Sequence, residues 1–180
     1  MKKIALKYGT ISGLIAGALI LTTTLIEKQY GIGSTPSIFG IIGLILAFIP
    51  VFLGVKEFRE TEGGGTLTFL KGLNVGIIIV AISGVFYAIF ALTTFYSLTP
   101  DFPDKVCAYQ IKQKILSGKD LKDTVLIKQG MADYKNMTKN PFLFGALSFT
   151  DTLPLGVILS LACAGILRKK PPTLELDKLS

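Results

Sequence analysis

The sequence contains no histidine and only two cysteines among its 180 residues. Without histidine the chain cannot form a Ser-His-Asp or Cys-His triad, most zinc sites or the usual proton shuttle at neutral pH. Cys107 and Cys163 are too far apart in sequence for a CxxC redox pair, and we expect both to be free thiols. We therefore expect no cofactor, no metal site and no enzymatic activity.

Charge is also scarce, at 17% of residues, whereas soluble chains carry about a quarter. The charged residues are almost all excluded from four apolar stretches, which hold a single charge, Asp151. The stretches are residues 8–26, 38–55, 73–96 and 142–167. Each is near or above the roughly 20 helical residues that cross a bilayer core of about 30 Å. They are apolar on every face, unlike the alternating strands of a membrane barrel.

This pattern predicts an all-α membrane protein with four transmembrane helices in one domain that covers residues 1–180. It excludes a soluble enzyme, a nucleic-acid-binding domain and a disordered tail. The net charge of +7 is explained by lysines and arginines that flank the spans and contact lipid head groups, so we expect no nucleic-acid partner.

Orientation is predicted from lysine and arginine alone. These residues are dense in the short segments 1–7 and 168–170 and diluted over the long polar segment 97–141. We therefore expect both termini in the cytoplasm. Residues 97–141 then form an extracytoplasmic connection, which has a mostly helical composition.

Asp151 and Asn74 are the candidate polar site, because an ionisable group inside a span is expensive and is by default functional. Asp151 precedes Arg168 by 17 residues, or about 25 Å of helix, which predicts a position near the outer boundary of the core. Pro154 predicts a helix break there with Asp151 as its cap, and we favour this interpretation. Ion or proton handling by Asp151 is the alternative. Asn74, with Lys71 beside it, is interpreted as a structural polar contact.

Small residues recur every fourth position in the first and last spans, which lets another helix approach closely. They are Gly9, Gly13, Gly17, Gly156, Ser160 and Ala164. We favour helix packing within one chain over homodimerisation.

A run of three glycines, residues 63–65, lacks the Lys-Ser/Thr pair of a phosphate-binding loop. We interpret it as a flexible hinge, with Thr66 as the N-cap of the next helix.

The chain resembles a bacterial family of small membrane proteins, the domain-of-unknown-function family numbered forty-one ninety-nine. The resemblance covers nearly the whole chain and is carried by residues 5–9 with 12–13, 64–69 with 71–72, 96, 100–102, 139–142, 153–156 and 166–170. The family often has Glu where this chain has Asp151. The resemblance implies four helices in the inner membrane of a Gram-negative bacterium, and it implies no catalytic residues.

The leading hypothesis for function is a non-enzymatic interaction or membrane-assembly role. The alternative is a small transporter or channel component that uses Asp151. The partners we expect are the lipid bilayer and either a second copy of the chain or another membrane protein.

Overall fold

The computed structural model describes residues 1–35, 38–116 and 121–169. Its elements are all helical, which confirms the predicted all-α class. In chain order they are α1 (Lys2–Tyr30), α2 (Ile38–Thr61), α3 (Phe69–Thr93) with a π-helical turn (Thr94–Leu98), α4 (Phe102–Leu116), α5 (Leu121–Thr138) and α6 (Pro141–Leu167). Lys170, predicted to mark a cytoplasmic end, lies outside the described residues.

Three of these helices are long and apolar enough to cross a membrane: α1, α3 with its π-helical turn, and α6. Helix α1 contains the predicted first span, residues 8–26, and extends beyond it at both ends, beginning at Lys2. The reason is that hydropathy detects the apolar part of a helix, whereas lysine is itself a good helix former and extends it.

Helix α3 is the centre of the fold, and α1, α2 and α6 all pack against it. Glycines make the contact with α1 close: a Cβ atom at Gly9 would lie 2.6 Å from the Cβ of Ile82, and one at Gly13 would lie 2.5 Å from the Cβ of Phe86. Residues with higher numbers on α1 contact residues with higher numbers on α3, so α1 and α3 are parallel. The bare backbone along α1 therefore forms the groove that receives the side chains of α3.

The contact between α3 and α6 is made by small residues on both helices. A Cβ atom at Gly76 would lie 2.8 Å from Ser160, one at Gly72 would lie 3.3 Å from Ala164, and one at Gly156 would overlap Val80. Residues with higher numbers on α3 contact residues with lower numbers on α6, so the two helices are antiparallel. The structure thus places all six of the predicted small packing residues, with Gly17 against Phe90, inside the chain.

We call the end of the bundle that carries residues 1–7 and 168–169 the terminal end. The opposite end, which carries α4 and α5, is the hairpin end. The hydrophobic core lies toward the terminal end. Its fully buried members are Ala5, Val51, Val55, Leu67, Val75, Ile79 and Cys163. Cys163 and Cys107 are both free thiols, as expected.

The glycine run at the terminal end is an ordered turn rather than a free hinge. Gly64 and Gly65 have φ values of 56° and 80°, in the left-handed region that favours glycine. The Gly65 N–H donates to the carbonyl of Arg59 at 3.0 Å, which closes the end of α2. The predicted N-cap is also wrong: Thr68, not Thr66, accepts a hydrogen bond from the N–H of Lys71.

A single β-bridge fixes this turn to the end of α6. Leu67 and Lys169 pair antiparallel, with N–H to carbonyl distances of 2.8 and 3.0 Å. The chain segments that precede α3 and follow α6 are therefore held side by side.

At the hairpin end, α4 and α5 pack on each other as a helical hairpin. Lys135 bonds Asp104 at 2.7 Å between the two helices. The hairpin is attached to the bundle through Tyr96, whose hydroxyl donates to the carbonyl of Thr138 at 2.5 Å. The Tyr96 ring also lies 6.2 Å from that of Phe144, which begins the buried face of α6.

Candidate functional site: a polar cavity at Asp151

Asp151 lies inside α6, ten residues or about 15 Å after Pro141, where the helix begins. The prediction that Asp151 caps a helix broken at Pro154 is wrong, because α6 continues through Pro154 and its N-cap is Asn140. The Asn140 side chain accepts from the N–H of Phe142 at 3.0 Å. Asp151 is therefore not explained by helix capping.

The structure also gives the level of Asp151 along the bundle. Its neighbour Thr152 contacts α3 at Gly84, where a Cβ atom would lie 2.8 Å from the Thr152 hydroxyl. Gly84 is close to the midpoint of the apolar helix Phe69–Leu98. Asp151, which is exposed in the structure, therefore lies at the level of the middle of the helix Phe69–Leu98.

Two cavities meet at Asp151 and Tyr87, which line both of them. The hairpin-end cavity has a volume of about 290 Å³ and the central cavity about 240 Å³. Small-molecule sites commonly measure about 300–1,000 Å³. Both volumes are thus slightly below this range.

The hairpin-end cavity is lined by residues of α1, α3 with its π-helical turn, α4, α5 and α6, and it combines hydroxyls, aromatic rings and two carboxylates. Helix α1 contributes Glu27 and α6 contributes Asp151. The remaining lining residues are Ile20, Thr23, Thr24, Tyr87, Ala91, Thr94, Phe95, Thr99, Phe102, Tyr134, Phe144, Leu147 and Ser148. None of these residues is basic, so the carboxylates have no cationic partner in the lining.

The central cavity is mostly apolar, with a small polar cluster. Ser83 of α3 donates a hydrogen bond to the hydroxyl of Ser12 of α1 at 3.2 Å. Both serines line this cavity together with Thr152. None of the described residues that line it is basic either, so Asp151 has no ion-pair partner among the described residues of the two linings.

The π-helical turn places an unpartnered hydroxyl at the hairpin-end cavity. Thr94 is only 4% exposed, yet its Oγ1 atom has no hydrogen-bond partner in the described part of the chain. A buried polar atom without a partner costs about 1–3 kcal/mol. π-Helical turns are frequent at functional sites. Here the turn buries the Thr94 hydroxyl beside the cavity.

Asn74, the second residue of the predicted polar site, is not brought to Asp151. Asn74 is exposed on α3, two residues from Gly76, and Gly76 packs on Ser160. Ser160 follows Asp151 by nine residues, which is about 13 Å along α6. Tyr87 lines both cavities with Asp151 and Glu27 lines the hairpin-end cavity, and nothing in the local sequence distinguishes these two residues.

Tyr134 extends from α5 over the hairpin-end cavity, with its ring 6.4 Å from that of Phe144. Burial raises the pKa of the Tyr134 phenol, and the negative charge of Asp151 raises it further. The phenol therefore stays neutral and is available as a hydrogen-bond donor at physiological pH.

The sequence analysis also did not predict a second polar cluster, which lies at the terminal end. The carboxylate of Glu57 accepts from the Lys7 ammonium at 2.9 Å and from the Tyr8 hydroxyl at 2.6 Å. The Lys7 ammonium lies 4.8 Å from the centre of the Tyr8 ring. The cluster joins α1 to α2, and all of its charges are paired, so we interpret it as structural.

Comparison with protein families matches the family described as "Protein of unknown function (DUF4199)" over residues 7–169. Comparisons with curated proteins and with solved structures give no match.

Proposed function

The chain belongs to the DUF4199 family, whose description names no activity. We therefore propose its function from the geometry of the cavities. We propose that it is an integral membrane protein of four transmembrane helices, without enzymatic activity, that binds a small cationic solute at Asp151. It acts as a small transporter or as a channel component.

The membrane assignment is supported by three apolar helices, to which we add α2 as the fourth span. Its 24 residues correspond to about 36 Å of helix, which is enough to cross a core of about 30 Å. Four spans put both termini on one side of the membrane. The density of lysine in residues 1–7 supports the cytoplasmic side of a bacterial inner membrane.

The observation that carries the solute-binding proposal is an acidic side chain without an ion-pair partner in either cavity that it lines. An aspartate at the centre of a membrane helix costs about 2.5–3.5 kcal/mol on insertion scales. A bound cation offsets this cost directly, because it neutralises the carboxylate. Two cavities that meet at Asp151 provide the space for that cation on both sides of it.

The experiment is a flux measurement on the purified full-length chain in sealed vesicles. An imposed membrane potential drives cations or protons inward, and flux is followed with a pH-sensitive dye and with labelled cations. We expect Asp151→Asn to reduce the flux at least about tenfold, because the neutral amide no longer attracts a cation. Asp151→Glu, which keeps the charge, should restore a large part of it.

Asp133→Asn is the matched control, since Asp133 is an exposed carboxylate on α5 that does not line either cavity. Its flux should equal that of the unaltered chain. Equal flux through the Asp151→Asn protein, or no flux above that of empty vesicles with any chain, would contradict the proposal.

A second candidate function is interaction with another membrane protein or with lipid through the hairpin of α4 and α5. It is favoured by a group of apolar side chains that are each more than half exposed there: Ile115, Leu116, Val125 and Leu126. A photoreactive residue at position 126 should crosslink to a neighbour in cells, and one at the polar position 133 should not. Equal crosslinking at the two positions would exclude a specific contact at the apolar group.

A further inference from the structure

We propose that the beginning of α3, at the terminal end, binds an anionic phospholipid, with Lys71 and Lys169 at its phosphate and Asn74 at a glycerol ester. This inference rests on the membrane assignment of the proposed function and is independent of the cation site at Asp151. We call Lys71, Asn74, Arg168 and Lys169 the head-group site. All four residues are exposed.

The carboxylates of the terminal end are already bound to other cations. Each of those that the structure describes forms an ion pair within α1 and α2: Glu57 with Lys7, Glu60 with Arg59, and Glu62 with the N-terminal ammonium. Lys71, Arg168 and Lys169 form no ion pair with a carboxylate in residues 1–35, 38–116 and 121–169. Their positive charges are therefore available to an anion, which gives the chemical class of the ligand.

The β-bridge brings these cations together from two distant parts of the sequence. The N–H of Leu67 donates to the carbonyl of Lys169 at 2.8 Å, and Lys71 follows Leu67 by only four residues. Arg168 immediately precedes Lys169. A lysine ammonium is carried on a long, flexible stem, so ammonium groups from both segments can reach one phosphate.

Asn74 is the second part of the site, and nothing in the fold explains it. It follows Lys71 by three residues, about 4.5 Å deeper along α3, so the two side chains are neighbours on the helix surface. The Asn74 amide forms no hydrogen bond within the part of the chain that the structure describes. An amide without a partner is costly in an apolar environment. In a phospholipid the glycerol esters lie just inside the phosphate, so an ester carbonyl can accept the N–H of Asn74.

The apolar surface beside the cations favours a phospholipid over a soluble phosphate. Leu70 and Ile77 lie four residues before and three residues after Asn74, which places all three in one stripe of α3. Leu70 is 69% exposed, as is 67% of Ile166, two residues before Arg168 on α6. A basic group next to exposed apolar side chains fits a molecule that combines an anionic head with hydrocarbon chains.

The test is native mass spectrometry on the purified full-length chain, titrated with phosphatidylglycerol and with phosphatidylcholine of identical acyl chains. The two lipids share the phosphate and the esters, but choline neutralises the charge of the second. We expect the first phosphatidylglycerol to bind at least about fivefold more tightly than the first phosphatidylcholine.

Two substitutions at exposed positions separate the roles within the site. Lys71→Gln should weaken phosphatidylglycerol binding about fivefold and phosphatidylcholine binding less, because it removes a charge. Asn74→Leu should weaken both lipids by the same factor, about two- to tenfold, because both present the same ester. Lys56→Gln is the matched control and should change neither affinity. Lys56 is an exposed lysine of α2, which packs on another face of α3 through Ile79.

Equal affinities of the two lipids for the unaltered chain, or equal effects of Lys71→Gln and Lys56→Gln, would overturn the head-group site. Displacement of the bound lipid by excess glycerol 3-phosphate would also overturn it, because the ligand would then be a soluble phosphate compound. The flux measurement judges the proposed function separately. A flux that depends on Asp151, without selectivity between the two lipids, would exclude the head-group site and retain the cation site.

Discussion

Alanine at Gly156 and alanine at Gly165 should have opposite effects on stability, although both glycines lie in α6. A Cβ atom at Gly156 would overlap the side chain of Val80 and lie 3.1 Å from its Cβ, whereas a Cβ atom at Gly165 meets nothing within 4 Å. Val80 is β-branched, and branched side chains have one strongly preferred rotamer in a helix. Rotation of Val80 therefore does not relieve the contact, and α6 must move away from α3.

The magnitude follows from two opposing effects. Replacing glycine by alanine in a helix interior gains about 0.8–1 kcal/mol from backbone entropy, and this gain is common to both positions. Overpacking a tight contact costs about 1–3 kcal/mol, and only Gly156 suffers it. Gly165→Ala should thus equal or exceed the unaltered chain in stability, and Gly156→Ala should be less stable than Gly165→Ala by about 1–3 kcal/mol.

Cys163 provides the assay, because it is fully buried at the same contact between α3 and α6. In a Cys107→Ser background it is the chain's sole thiol, since the sequence contains two cysteines. Its rate of reaction with a maleimide in mixed micelles of rising dodecyl sulfate content reports the unfolded fraction. The expected difference between the two alanine variants corresponds to about a 5- to 150-fold change in that rate.

Equal labelling rates for the two variants, or faster labelling of Gly165→Ala, would refute the packing of α6 on α3. The same result would remove the helix register from which the level of Asp151 was derived. The comparison therefore tests the geometry of the cavity without any ligand.

Three further predictions concern the hairpin end. Tyr96→Phe removes the hydrogen bond to the end of α5 and should destabilise the attachment of the hairpin by about 0.5–1.5 kcal/mol, measured as faster proteolysis of α4 and α5. Cys107 should react with a membrane-impermeant maleimide added to the periplasmic side, while buried Cys163 stays unlabelled; labelling solely from the cytoplasmic side would reverse the proposed orientation. Asp151→Asn should lower the pH at which Tyr134 ionises, seen by ultraviolet titration against Tyr134→Phe, because Asp151 raises the pKa of that phenol. Since burial and charge raise this pKa in the folded state, the stabilisation from the neutral phenol is complete below its ordinary pKa of 10.0 and is lost at higher pH.

Hydropathy and residue spacing were enough to predict the helical class and the small residues of α1 and α6. They did not identify α3 as the shared partner, although α3 carries the matching Gly72, Gly76 and Gly84. A spacing of four residues marks a face that another helix can approach closely, but it does not specify which helix approaches.

The error at Pro154 has a local cause. Proline disrupts a soluble helix by removing a backbone hydrogen bond, whereas apolar bundles tolerate it because neighbouring groups satisfy the freed carbonyl.

The cavity could not be predicted from the sequence for another reason. Glu27 and Asp151 are separated by more than 120 residues, and only the register of α1 and α6 on α3 brings them to one space.

The bridge between Leu67 and Lys169 also has a consequence for biosynthesis. Ribosomes add about 5–20 residues per second, so the roughly 100 residues between these positions take about 5–20 s to synthesise. During that interval the glycine face of α3 has been made but α6 has not, and the cavity lacks one of its walls. A chain that stops before α6 begins at Pro141 therefore exposes small residues of α3 that the finished protein covers, which gives cellular quality control a direct way to recognise incomplete copies.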